Sequence, residues 1–217
     1  MTDTTLLPLP LHTDDDPPYD LNAFITRFQL QMAPALPATH HQRRAAVLIP
    51  IIRRPDPSLL LTRRSPHLRK HAGQVAFPGG AADPEDLSLI ATALREAQEE
   101  VAIPPASVQI LGTLPAFDSS SGYQVTPVVG LLPENTPFHP NADEVAELFE
   151  MPLRDAFTLQ RYHSLDIKHH HQRHRVYLSW YQQQLVWGLT AAIIRQLALH
   201  VAMPEPVYPP HRTSFLP

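Results

Sequence analysis

The sequence predicts an α+β fold in which one mixed β-sheet is flanked by helices, an α/β/α sandwich. Three observations lead there. The 217-residue chain is long enough for one domain with a proper core, and it is 43% hydrophobic and 18% charged, as soluble globular proteins are. Aliphatic and β-branched runs of strand length recur along it, bounded by Pro, Gly and polar clusters. Helical periodicity appears near the start, in the middle and near the end, with no internal repeat. Periodicity by itself supports one sheet with helices, and strands mixed with helices on both faces give the three-layer arrangement.

The elements follow in order. Residues 1–18 and 204–217 are rich in proline and read as extended, poorly anchored tails around a domain spanning 19–203. Leu21, Phe24, Phe28 and Met32 stand at helical spacing, which predicts a helix over 20–32. Pro34 and Pro37 stop it, and 33–44 link it to the core. The runs 45–52 and 59–63, separated by Pro55-Asp56-Pro57, suit a hairpin-like pair of strands. Pro50 places the first of these at a sheet edge or a bulge. A helix is expected over roughly 87–101, with Leu87, Ile90, Leu94, Ala97 and Val101 as its buried stripe; Pro104-Pro105 prevents its continuation. Residues 108–116 and 124–132 read as strands joined by the polar loop 118–122. Residues 142–150 look helical, with Glu144, Glu147 and Glu150 three apart. A late strand over 175–180 and an amphipathic helix over 189–201 complete the domain.

The segment that points to chemistry is Gly73-Gln74-Val75-Ala76-Phe77-Pro78-Gly79-Gly80, followed by Arg95-Glu96-Ala97-Gln98-Glu99-Glu100. At about 100° per residue, Glu96, Glu99 and Glu100 fall on one helix face. Like charges one turn apart cost a helix a few tenths of a kcal/mol, so helix stability does not explain the cluster. A hard divalent cation does. Mg²⁺ or Mn²⁺ prefers oxygen ligands, and Mg²⁺ typically takes one or two carboxylates together with phosphate oxygens.

This loop and helix resemble the Nudix box of the Nudix hydrolases, whose pattern is Gly, five residues, Glu, seven residues, Arg-Glu-x-x-Glu-Glu, one residue, Gly and an aliphatic. Arg95, Glu96, Glu99, Glu100 and the aliphatic Ile103 all match. The span from Gly80 to Arg95 is one residue longer than the pattern, the early acidic place falls on Glu85 or Asp86, and Ala102 stands where the pattern closes with glycine. A second run, Leu60-Leu61-Thr62-x-Arg64-Ser65, three residues, Arg69, three residues, Gly73, three residues, Phe77-Pro78-Gly79-Gly80, resembles at every specified position the extra signature of the coenzyme A pyrophosphatase branch. The resemblance extends over roughly residues 40–202, through Asp118-Ser119, 122–128, 174–180 and 186–190.

The resemblance implies a Nudix fold and metal-dependent hydrolysis of the diphosphate of coenzyme A or acyl-CoA, with Mg²⁺ or Mn²⁺ as cofactor; the alternatives are a Nudix hydrolase of another nucleoside diphosphate derivative and a catalytically silent binding module on the same fold. It implies Glu96, Glu99 and Glu100 as metal ligands, Glu99 also orienting the nucleophile, and Arg95 orienting a box glutamate. It implies Arg64, Arg69, Gly79 and Gly80 as substrate-binding residues and a general base from outside the box, for which Glu144 and Glu147 are candidates, Glu144 first. Coenzyme A carries a diphosphate and a 3′-phosphate, and arginine suits planar, bidentate phosphate recognition. Arg63 and Lys70, taken singly, serve equally well to solvate a strand end.

Composition narrows the classes further. The net charge of −4 offers no global basic field for nucleic acid. Cysteine is absent, which excludes disulfide scaffolds and thiol nucleophiles. The longest apolar run, 45–52, is far shorter than the roughly 20 residues of a membrane span, and no cationic leader opens the chain, so a cytoplasmic protein, a homodimer among its possible states, is expected. His169, His170, His171 and His174 show no zinc-site spacing and read as an exposed loop before a strand, although His174-Arg175 lies on the resembling segment. Trp180 and Trp187 read as core or interface residues.

Overall fold

Residues 19–31, 43–68, 70–169 and 172–202 are described by a computed structural model. Helix α1 (Leu21–Leu30) is opened by Asp20, whose carboxylate accepts from the Ala23 N–H at 3.0 Å. Strand β1 (Arg43–Ile52) begins two residues earlier than expected and leads to β2 (Ser58–Arg64), β3 (Val75–Ala76) and β4 (Gly79–Ala81). Helix α2 (Leu89–Val101) follows, then β5 (Gln109–Thr113), β6 (Phe117–Asp118), β7 (Tyr123–Leu132) and β8 (Val145–Pro152). A short helix α3 (Leu153–Ala156) precedes the hairpin β9 (His163–His169) and β10 (Gln172–Tyr181), then β11 (Gln184–Trp187) and helix α4 (Gly188–Val201).

The main sheet runs β3-β2-β1-β7-β5, with β4 also on β1, β6 on β7 and β8 on β2. It is mixed. β1 and β7 run parallel over their full ten residues, from Arg43 beside Tyr123 to Ile52 beside Leu132, and the other pairs are antiparallel. Both faces of β1 are buried, which is why it reads as an unbroken apolar run. Ile49 and Ile51 join Phe24 and Phe28 of α1 and Ile193, Ile194 and Leu197 of α4. Ala46, Leu48 and Ile52 meet Ala93, Ala97 and Val101 of α2 on the other side. The two-residue period of a strand thus separates the layers, and the expected sandwich is the fold.

Several local expectations are corrected. Residues 142–150 are not helical: from Val145 onward they form β8, paired to β2 with Leu61 opposite Phe149 and Arg63 opposite Glu147. The glutamates three apart imitate a helix period. Two of them are fixed by distant arginines: Arg63 Nε of β2 donates to Glu147 at 2.9 Å, and Arg54 Nη2 of the β1–β2 connection donates to Glu150 at 2.7 Å. Leu148 packs toward α2 and Phe149 toward α4, a division between opposite layers that a strand's alternation makes. Leu87 does not belong to the buried stripe. It precedes α2, whose cap is Ser88, and it is 98% exposed.

Pro50 lies in the centre of the sheet, not at its edge. Leu48 N–H points away from β7 to Pro78 O at 2.9 Å, so Pro50 nitrogen, two residues on, points to the same side. There β1 changes partner, from β4 at Ala45–Val47 to β2 at Ile51 and Ile52, and no ladder bond is lost. Ala102, in place of the box glycine, takes the left-handed conformation at φ 58°, ψ 27° and donates its N–H to Ala97 and Gln98 carbonyls. β9 and β11 have no counterpart among the expected strands, and His169 ends β9 rather than lying in a loop. The predicted tails, 1–18 and 204–217, Met32, most of the 33–44 link, His170 and His171 lie outside the described residues.

Candidate active site

The site is built where β4 turns against α2. Gly79 leaves no room for a side chain, since a Cβ there would stand against the Ala46 carbonyl and 2.6 Å from Val47 Cα. At Gly80 the obstacle is different: a Cβ would come within 2.5 Å of the Glu96 carboxylate. Gly79 therefore lets β4 lie close on β1, and Gly80 lets its backbone pass directly beneath the acidic face of α2. That face is only partly solvated, since Glu99 is exposed but Glu100 is not. Glu100 is only 3% exposed, and its carboxylate accepts from the Gly79 N–H at 3.1 Å and from Arg64 Nη1 at 3.4 Å.

Arg95 organises the rest. Its Nε and Nη2 donate to the two carboxylate oxygens of Asp86 at 3.1 and 3.0 Å, and Nη2 also reaches Ala81 O at 3.1 Å. Nη1 donates to Glu96 at 2.9 Å and to Glu99 at 3.1 Å. Every guanidinium N–H thus has an acceptor, a fork geometry that lysine does not reproduce. Asp86, not the exposed Glu85, fills the early acidic place. Thr92 Oγ1 and the Asp83 N–H donate to it as well, each at 2.9 Å. The Arg95 guanidinium holds the Asp86 carboxyl well below the usual carboxylate range, and Asp86 in turn raises Arg95.

The signature run supplies the scaffold beside the box. Leu60 and Leu61 bury on opposite faces of β2, and Thr62 Oγ1 donates to Ala76 O at 3.1 Å. Gly73, at φ 70°, returns the loop so that its N–H donates to Arg64 O at 3.2 Å. Ser65 N–H donates to Glu144 O at 2.8 Å, fastening the turn before β8 to the end of β2. Arg64 is brought to Glu100; Arg69 lies outside the described residues. Arg63 is held by Glu147, which also accepts from Gln184 of β11 at 3.2 Å, on the face of the sheet away from α2. Of the two base candidates, Glu144 is the one close enough to raise both Glu96 and Glu100 electrostatically. Arg175 pairs with Asp166 at 2.9 Å on the β9–β10 hairpin, apart from the box.

Burial, opposed by the Gly79 N–H and Arg64 and assisted by Glu144 and Glu96, pushes the Glu100 carboxyl up to about 7. Burial also raises Glu96, against the pull of Arg95. Carboxylates that are costly to ionise together fit a divalent cation, which supplies the missing positive charge. Glu96, Glu99 and Glu100 offer hard oxygen ligands of the kind Mg²⁺ or Mn²⁺ takes. Among the described residues no three His, Cys, Asp or Glu side chains form a ready-made cage; Arg95 and Gly79 hold these three in separate bonds. A cation at Glu100 must displace its proton, so affinity depends on pH. Below about pH 7 the carboxyl is protonated and each unit of acidification should weaken binding up to tenfold; above it the dependence should flatten. Calorimetric titration of Mn²⁺ at several pH values checks this, and affinity unchanged across neutrality contradicts it.

Comparison with known proteins agrees with the geometry. Residues 42–180 match the model of the NUDIX domain. The chain is 72% identical over 184 residues to the protein named Uncharacterized Nudix hydrolase NudL from Pectobacterium atrosepticum, covering 85% of this chain and 96% of that one. It is 63% identical over 190 residues to the protein of the same name from Yersinia pestis, covering 84% and 96%. A solved Ap4A hydrolase from C. elegans overlays 52% of this chain and 83% of its own with a TM-score of 0.46 at 20% identity. No helix among the described residues is long and apolar enough to cross a membrane.

Proposed function

Since the chain belongs to the Nudix hydrolase family, we propose that it hydrolyses the diphosphate bond of coenzyme A and acyl-CoA, releasing 3′,5′-ADP and 4′-phosphopantetheine or its acyl form. The observation that carries this reading is the run Leu60–Gly80, which satisfies every position of the coenzyme A signature and folds onto the box through Arg64 and Glu100. Water adds across the phosphoanhydride: one P–O bond forms, the bridging P–O bond breaks, and the proton of the water passes to a base. Glu144, beside Glu96 and Glu100, takes that role. Glu96, Glu99 and Glu100 hold Mg²⁺ or Mn²⁺, and when bound such a cation neutralises phosphate charge and makes water a better nucleophile. Arg95 acts as a positioning residue, anchored by Asp86 and fixing Glu96 and Glu99 directly. The reading includes a cytoplasmic location.

The arginines of the signature test the substrate. Losing a charged hydrogen bond costs about 1.5–3 kcal/mol, or roughly ten- to a hundredfold in kcat/KM. Arg64→Ala and Arg69→Ala should be compared on coenzyme A, dephospho-coenzyme A and ADP-ribose. Because Arg64 already faces Glu100, its loss should lower all three alike. Arg69→Ala should lower coenzyme A selectively, by way of the 3′-phosphate. Equal loss on all three substrates for Arg69→Ala contradicts the second assignment.

A further inference from the structure

Over the C-terminal half of β10 and over β11 the second sheet has one covered face and one bare one, whereas β9 is exposed on both. In the order β11-β10-β9, Ser179, Tyr181 and Val186 turn inward and are buried beneath α4. The register places Leu165 opposite Val176, Leu178 opposite Trp187 and Trp180 opposite Leu185, all on the outward face. There Leu165, Ile167, Trp180, Leu185 and Trp187 are between 37% and 57% exposed. They draw on all three strands and form one patch.

We infer that this outer face of the β9–β10–β11 sheet is where a second copy of the chain docks. The inference is independent of the substrate reading. Three features select the occupant. The first is size: a large aromatic side chain carries about 150–250 Å², so the five residues expose on the order of 400–500 Å² of apolar surface. A standard interface buries about 800 Å² per partner, about two-thirds of it apolar in homodimers, so the patch is the size one protomer must contribute. The second is charge. Among the described side chains this face carries no Asp, Glu, Lys or Arg; its polar members are His163 and His174. A two-fold contact brings the same patch against itself, and here it opposes no like carboxylates or ammonium groups. The third is what the face lacks for other surfaces: polyanions and anionic bilayers are met by Lys and Arg.

The face also carries its own reporters, because Trp180 and Trp187 are the two tryptophans of the whole chain. Sedimentation equilibrium and tryptophan emission should be followed on the full chain from nanomolar to near-millimolar concentration. Dimer mass should appear together with a blue shift of emission. Trp180→Lys and Leu165→Lys, on different strands, should each raise the dimer dissociation constant about thirtyfold or more, with circular dichroism unchanged and with Tm unchanged at concentrations where the wild type is monomeric. If one variant misfolds, the other and the wild-type emission still decide. Wild-type protein that stays monomeric throughout overturns the inference. So does a dimer that survives both substitutions. A monomer whose emission changes when the chain is ended at residue 202 also overturns it, because its own C-terminal segment would then cover the face.

Discussion

Glu100→Gln should lower kcat by at least about a hundredfold while leaving the protein folded. A bound divalent cation is worth several kcal/mol to phosphoryl chemistry, and each 1.36 kcal/mol is tenfold in rate. The amide keeps an oxygen for the Gly79 N–H but removes the charge that holds a cation. Helix position alone would place Glu100 on a solvated face, where any substitution is harmless to the fold. Its burial against β4 makes the choice of substitution matter. Glutamine is nearly isosteric, and it replaces a carboxyl that burial already drives toward the neutral form. Stability should therefore change by no more than about 1 kcal/mol. Wild-type turnover by folded Glu100→Gln at saturating Mg²⁺ would mean that the metal lies elsewhere.

The second large effect separates two adjacent glycines. A Cβ at Gly79 meets main-chain atoms of β1, Ala46 O and Val47 Cα, which cannot move without parting the strands. Gly79→Ala should cost about 3 kcal/mol, lowering Tm by roughly 6–12 °C for a domain of this size. At Gly80 the Cβ meets only the Glu96 carboxylate, the far end of a flexible side chain. That group can swing aside cheaply, but a displacement of about 1 Å can cost on the order of a hundredfold in rate. Gly80→Ala should thus keep Tm and lose activity, whereas Gly79→Ala loses both. Thermal melts with kinetics on the two variants decide it. An active Gly80→Ala protein would remove Glu96 from the account.

The layers of the fold were legible because burial writes period into sequence. β1 is buried on both faces and reads as a solid apolar run, and α2 and α4 show helical spacing. The acidic cluster and Arg95 were legible as a pattern. Long-range partners were not: nothing local in 142–150 announces that Arg63 and Arg54 await Glu147 and Glu150 on a neighbouring strand. Nor does Leu87 announce that Ser88 caps α2 just after it. Counted forward from Gly80 the early acidic place falls on residue 86 and counted back from Arg95 on residue 87, so the extra residue blurred the place in the sequence. Thr92, one turn before Glu96 and bonded to Asp86, offered the available local clue. β9 escaped notice because only Leu165 and Ile167 mark its period among polar residues, and β11 because four residues are too few to show one.

The central claim, metal-dependent cleavage of the coenzyme A diphosphate, is tested most directly by resolving the products. Purified protein should be incubated with coenzyme A, with and without Mg²⁺ or Mn²⁺, beside ADP-ribose as competitor. The account predicts 3′,5′-ADP and 4′-phosphopantetheine in equal amounts, formed only with the metal and with a higher kcat/KM than for ADP-ribose. Preference for ADP-ribose, or no metal-dependent cleavage of either substrate, would contradict it.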